Sequence, residues 1–229
     1  MRTFASLYIL LITAGFSVMD AQQNHDSWAN INRYAKSNVQ LKQENKKIKA
    51  VFIGNSITDV WGAHYPDYFK ENNYVARGIG GQTTPQFLSR FRADVVELKP
   101  EIVVINGAIN DIAENTGTYD QEFTLGNIKS MCEIAQANGI TVILTSTLPA
   151  SHIPWNDKIQ HVPQKVIELN KAIKAYADSK KISYLDYYSQ MVNAKGGLKE
   201  EYTSDAVHLT DAGYRIMKDL AKKAIESMK

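Results

Sequence analysis

Four short motifs hold the residue types that acyl transfer through a serine ester requires. They are Gly54-Asn55-Ser56-Ile57-Thr58, Gly78-Ile79-Gly80-Gly81-Gln82, Ala108-Ile109-Asn110-Asp111 and Asp205-Ala206-Val207-His208. A serine hydroxyl is a weak nucleophile until a base takes its proton. His208 is the candidate base for Ser56, with Asp205 placed to hold one ring nitrogen and stabilise the imidazolium that forms. Attack on a carbonyl puts negative charge on oxygen, which needs preorganised donors. The backbone N–H groups of Ser56 and Gly81 and the side-chain amide of Asn110 can supply them. Each motif also has a plainer reading. Ser56 could cap a helix, the glycines could serve a turn with positive φ, Asn110-Asp111 could be an Asx-type cap, and Asp205 and His208 could be a surface ion pair. There is no glycine-x-serine-x-glycine elbow.

Placement separates these readings. Short β-rich runs at 48–53, 74–79, 102–106, 141–145 and 182–185 alternate with helical stretches at 65–71, 85–98, 120–138 and 163–180, and 211–228 closes the chain. A further polar, lysine-rich helix is expected over 28–47. Strands alternating with helices predict a parallel sheet covered on both faces. In such sheets, sites form beyond the carboxyl ends of the strands. Ser56 follows the first strand, Gly81 the second and Asn110 the third, so all three fall on one edge of the sheet whatever the strand order. In the last helix Ile216, Leu220, Ala224 and Met228 recur every fourth residue beside Met217, Ala221 and Ile225, with Thr210 as its expected N-cap.

Composition narrows the function classes. The 229 residues are 44% hydrophobic with a formal net charge of +2, which suits one well-buried domain and gives no basic nucleic-acid footprint. Arg2 followed by an apolar run to Val18 reads as an export signal, too short for a comfortable membrane span. Cleavage after Ala21 leaves a mature domain over 22–229 in a periplasmic or extracellular setting, with no stable membrane insertion. Cys132 is the sole cysteine, expected as a buried small hydrophobe sharing a face with Ile128 and Ala135. The spacings of His152 and His161 give no recognisable metal set, and His25 and His64 have no partner motif.

At this point the four motifs resemble the four blocks of the SGNH (GDSL-type) hydrolase superfamily. The resemblance runs from about Lys49 to the C-terminus and includes Leu148-Pro149-Ala150-Ser151 and Tyr184-Leu185-Asp186-Tyr187-Tyr188. It implies a flavodoxin-like three-layer α/β/α domain with a five-stranded parallel sheet in the order 2-1-3-4-5. It implies Ser56 as nucleophile, His208 as base, Asp205 as its orienting carboxylate, and an oxyanion hole from Ser56 N–H, Gly81 N–H and Asn110. No metal and no organic cofactor is implied. Two positions depart from the pattern: Asn55 stands where an aspartate is usual, and Ala108 where a glycine is usual, adding a methyl that could narrow the pocket.

The implied substrate is a small-molecule or glycan acyl ester, as in secreted bacterial carbohydrate O-acetylesterases. A lysophospholipase or acyl-thioesterase of the same mechanism, and a non-catalytic glycan-binding module, are the competing readings. There is no long apolar lid insertion for a fatty chain. Trp61, Tyr65 and Trp155 are candidates to pack against a sugar ring.

Overall fold

The computed structural model describes residues 28–228, so the export signal expected over 1–21 lies outside the described residues. Five parallel strands, β1 (Ala50–Gly54), β2 (Tyr74–Gly78), β3 (Ile102–Asn106), β4 (Thr141–Thr145) and β5 (Ser183–Leu185), form one sheet in the order β2-β1-β3-β4-β5. Parallel strands need crossover connections, and helices provide them on both faces. In chain order the helices are α1 (Ala35–Glu44), α2 (Ser56–His64), α3 (Pro66–Glu71), α4 (Thr84–Asp94), α5 (Ile109–Ile112), α6 (Gln121–Ala137), α7 (Val162–Lys180), α8 (Tyr188–Met191) and α9 (Asp211–Glu226), of which α2 to α7 lie in the crossovers. The result is the flavodoxin-like three-layer sandwich.

The central strands read as unbroken apolar runs because each is buried on both faces. Alternate residues then divide between two cores. Val51, Ile53, Val103, Ile105, Val142 and Leu144 pack with Phe87, Phe91, Ile128 and Val166 from α4, α6 and α7. Ala50, Phe52, Ile102, Val104 and Ile143 pack with Trp61, Phe69 and Met217 from α2, α3 and α9. Cys132 belongs to the first core, and burial pushes its thiol up to about 12, which keeps it an unreactive hydrophobe at neutral pH.

Two helices differ from the expected spans. The stretch 28–47 is not one helix: residues 28 and 29 are helical, a turn follows, and α1 covers Ala35–Glu44, with Asn30 and Asn45 both taking a left-handed φ of 48° that breaks the run. In α9 the fully buried line is Tyr214, Met217, Ala221 and Ile225, while Ile216, Leu220 and Ala224 sit at its margin. Thr210 caps that helix, accepting from Gly213 N–H at 3.4 Å.

Candidate active site

The strand register brings three motifs to one edge. Gly54 pairs with Gly78 on one side and with Asn106 on the other, so the segments that follow them leave the sheet together. Asn55 is the N-cap of α2, its Oδ1 accepting from Ile57 N–H at 3.0 Å. Ser56 is therefore the first helical residue, not the cap, and its hydroxyl is left for another partner. That partner is His208, whose Nε2 lies 3.0 Å from Ser56 Oγ across 152 residues of sequence.

Asp205 builds the turn that presents His208. Its Oδ1 accepts from Val207 N–H at 3.0 Å and His208 N–H at 2.7 Å, while Oδ2 lies 2.7 Å from His208 Nδ1. Ala206 takes a left-handed φ of 75° to close this turn. One carboxylate thus shapes the loop and orients the ring, which is why the two residues stand three apart. A carboxylate can only accept, so Nδ1 carries the proton and the neutral ring presents Nε2 as an acceptor to Ser56. Burial, the largest single influence on the Asp205 carboxyl, raises its pKa. The hydrogen bonds from the His208 ring, His208 N–H and Val207 N–H together outweigh it and hold the pKa below the ordinary carboxylate value. Because the folded-state value is lowered, this stabilisation is present above the ordinary carboxylate range and is lost as pH falls through the lowered value.

The second motif is held against α2. Gly78 has no room for a side chain: a Cβ there would sit 2.1 Å from Asp59 N. One residue pair on, Asp59 Oδ2 accepts from Gly80 N–H at 3.3 Å, tying the loop to the helix that Ser56 begins. Gly81 then adopts a φ of 76°, the one glycine of this loop that needs the left-handed region. The N–H groups of Ser56 and Gly81 have no acceptor among the described residues.

The third motif starts at Ala108, which holds φ 83° where a glycine would be unstrained. Its methyl is fully buried in the first core, so the added carbon is spent on packing. Asn110 is buried, and its Nδ2 donates one proton to Gln82 O at 2.9 Å, linking the third motif to the second. An amide nitrogen carries two protons, and the second has no acceptor among the described residues.

Asp111 strengthens the same link, accepting from Thr84 N–H at 3.1 Å and from Thr84 Oγ1 at 2.5 Å at the positive end of α4. Burial pushes its carboxyl up to about 6 from 3.8, against the Thr84 and Thr124 hydrogen bonds that lower it. A raised folded-state value means that the stabilisation is complete below about 3.8 and drains away as pH rises through about 6. The stability margin of the wild type over Asp111→Asn, read by urea unfolding at successive pH values, therefore narrows between pH 4 and 7. A margin that widens contradicts this assignment.

Beneath the motifs lies a buried polar network that the sequence reading misses. Arg90, fully buried on α4, donates to Gly54 O at 3.0 Å, to Gln82 Oε1 at 2.7 Å and to Asp94 Oδ2 at 2.9 Å. Asp94 also accepts from Asn38 Nδ2 at 2.7 Å, and Asn38 accepts from Arg77. One guanidinium thereby fixes the strand end before Ser56 and the residue after Gly81. The i,i+4 spacing of Arg90 and Asp94 is visible in the sequence, but it normally marks a solvated pair.

The three aromatics separate. Trp61 is fully buried, packed on Phe52, Phe69 and Tyr68, so it is a core residue and not a sugar contact. Tyr65 packs on Tyr214 and donates to Asp211 Oδ1 at 2.6 Å. Trp155 is the one beside the site, with its ring centroid 6.1 Å from that of His208. His64, His152 and His161 are exposed, and His25 lies outside the described residues. A cavity of about 560 Å³ between α1, α3 and β2 contains none of Ser56, Gly81, Asn110, Asp205 or His208. Size alone does not identify the site.

Solved structures with this architecture include a GDSL-like lipase from Bacteroides thetaiotaomicron VPI-5482, 50% identical, with a TM-score of 0.83 over 88% of this chain and 99% of that one. A Bacteroides fragilis NCTC 9343 protein, provisionally assigned as an acylhydrolase, is 51% identical with a TM-score of 0.84 over 87% of this chain and 97% of its own. The acetylxylan esterase of Geobacillus stearothermophilus shares the fold at 18% identity, with a TM-score of 0.61 over 78% of this chain and 94% of that one. Among curated sequences, the N-acylneuraminate cytidylyltransferase of Escherichia coli O18:K1:H7 is 24% identical over 168 residues, 73% of this chain. The chain spans 38% of that relative's length. The profile of the GDSL-like lipase/acylhydrolase family matches residues 52–216, a stretch that begins within β1 and takes in all four motifs whole. With the serine turn, both donor loops and the Asp205–His208 turn all inside that match, the chain belongs to the GDSL-like lipase/acylhydrolase family of hydrolases.

Proposed function

We propose that the protein is a serine esterase that removes small acyl groups, acetyl foremost, from carbohydrate by way of an acyl-enzyme on Ser56. The observation that carries the proposal is the continuous hydrogen-bonded line from Asp205 through His208 to Ser56. Ser56 Oγ attacks the ester carbonyl as His208 Nε2 takes its proton. The resulting oxyanion is met by the N–H groups of Ser56 and Gly81 and by the second amide proton of Asn110. His208 returns the proton to the departing alcohol oxygen, leaving an acyl ester on Ser56. Water then repeats the sequence, giving up its proton to His208 and releasing the acid. Asp205 stays ionised throughout and keeps the ring in the tautomer that can accept.

The small size of the acyl group is supported by the sequence, which has no long apolar lid insertion between the motifs to hold a fatty chain. The carbohydrate part rests on fold-level analogy with the acetylxylan esterase, which by itself speaks to fold and not to substrate. With residues 1–21 as an export signal, the enzyme would meet such esters outside the cytoplasm.

The test is a series of p-nitrophenyl esters from acetyl to octanoyl. Rates should peak at acetyl and fall sharply beyond roughly four carbons, the pattern of a short acyl pocket. A peak at octanoyl contradicts the small-acyl reading and favours a lysophospholipase or thioesterase.

A further inference from the structure

Trp155 is a large aromatic left 45% exposed, yet its orientation is fixed. Its indole Nε1–H donates to Asn115 Oδ1 at 2.9 Å. Asn115 in turn donates from Nδ2 to Gly81 O at 2.9 Å and from its backbone N–H to Asn110 O at 3.1 Å. A second tie, from Asn156 Nδ2 to Ala113 O at 3.0 Å, holds the same loop against the segment after Asn110. The indole is thus braced on the two loops that carry Gly81 and Asn110, with its plane tilted 39° to the His208 ring at a centroid distance of 6.1 Å.

The chemistry of ester cleavage says which part of a substrate reaches this spot. In the tetrahedral intermediate the alcohol oxygen must accept the proton held by His208 Nε2, so the alcohol group lies on the imidazole side of the carbonyl carbon. The acyl group and the oxyanion lie on the others. Trp155 flanks the imidazole, and whatever is bonded to that oxygen lies within reach of the indole. We infer that Trp155, braced by Asn115, is the platform of the leaving-group subsite, and that it takes a pyranose ring on its face. A pyranose has an apolar C–H face and a hydroxyl rim, and this platform is flat, apolar and bordered by the polar groups of His208 and Asn115. A fatty alcohol would need a continuous apolar groove instead. The inference rests on the esterase reading for its choice of side, and defines the alcohol where that reading defines the reaction.

The experiment compares a mono-O-acetylated methyl xylopyranoside with ethyl acetate, whose alcohol has no ring. Each is assayed with wild type, Trp155→Leu and Trp155→Phe. Losing the flat face should lower kcat/KM for the pyranoside about tenfold more than for ethyl acetate, chiefly through KM, as loss of an aromatic contact implies. Trp155→Phe, which keeps a flat face but cannot donate to Asn115, should recover most of the pyranoside KM. Equal losses on the two esters, or a Phe variant no better than Leu, overturn the platform. Saturation-transfer NMR with Ser56→Ala separates this from the reaction itself. Pyranoside binding that weakens when Trp155→Leu is added supports the subsite even if the wild type turns nothing over, an outcome that would remove only the esterase reading. Binding indifferent to residue 155 removes the subsite whatever the turnover.

Discussion

Ser56→Ala should lose on the order of 10⁶-fold in kcat, the scale set by removing the nucleophile of a serine hydrolase. The loss should come without unfolding. Asn55 does the capping of α2, so an alanine at the first helical position leaves the cap bond to Ile57 N–H in place. Alanine is also the best helix former, and the change in stability should stay within about 0.5 kcal/mol. The two readouts together make the argument: ester hydrolysis collapses while the urea midpoint stays put. Retention of activity to within tenfold of wild type would mean that the hydroxyl next to His208 is not the nucleophile.

The second large effect lies away from the chemistry. Arg90→Leu should cost about 3–5 kcal/mol, because it leaves the Asp94 carboxylate buried without its charged partner. Both side chains of this ion pair are essentially inaccessible, at 0% and 1% exposure, so solvent cannot take the place of either. Burial already pulls the Arg90 guanidinium below its ordinary pKa, with Asp94 opposing. Replacing both residues with leucine should recover part of the loss, since no unpaired charge then remains. Denaturant unfolding measures both variants. A loss below about 1 kcal/mol for Arg90→Leu would show that Asn38 alone satisfies Asp94. Because Arg90 also holds Gly54 O and Gln82, the variant should lose turnover at temperatures where it is still folded.

The sheet was legible because burial on both faces forces continuous apolar strands, and the motif residues were legible because each directly follows a strand end. The strand order itself came only with the resemblance. What separated Asp205 and His208 from an ordinary surface pair was not in their spacing but in a turn closed by a left-handed Ala206, which alanine does not advertise. Trp61, one of three candidates to pack on a sugar ring, is a core residue, and a signal for this existed: Ile57 and Trp61 stand four apart on α2 and share its inward face. The overlong first helix has a similar cause, since asparagine tolerates both helical and left-handed backbone and only the fold decides. Two long-range contacts had no signal in the chain. Arg90 reads as one charge on an amphipathic helix until its carbonyl partner at Gly54 is seen. Asn115 and Trp155 are 40 residues apart, and only the loops beyond β3 and β4 bring them together.

The measurement that bears most directly on the central claim is the identity of the covalent intermediate. Wild-type enzyme turning over p-nitrophenyl acetate is quenched in acid, digested and mapped by mass spectrometry. The account predicts an acetyl ester on the peptide that contains Ser56, at that side chain, and none in Ser56→Ala. Acetyl found on another residue, or full turnover with no acylated peptide, would contradict it.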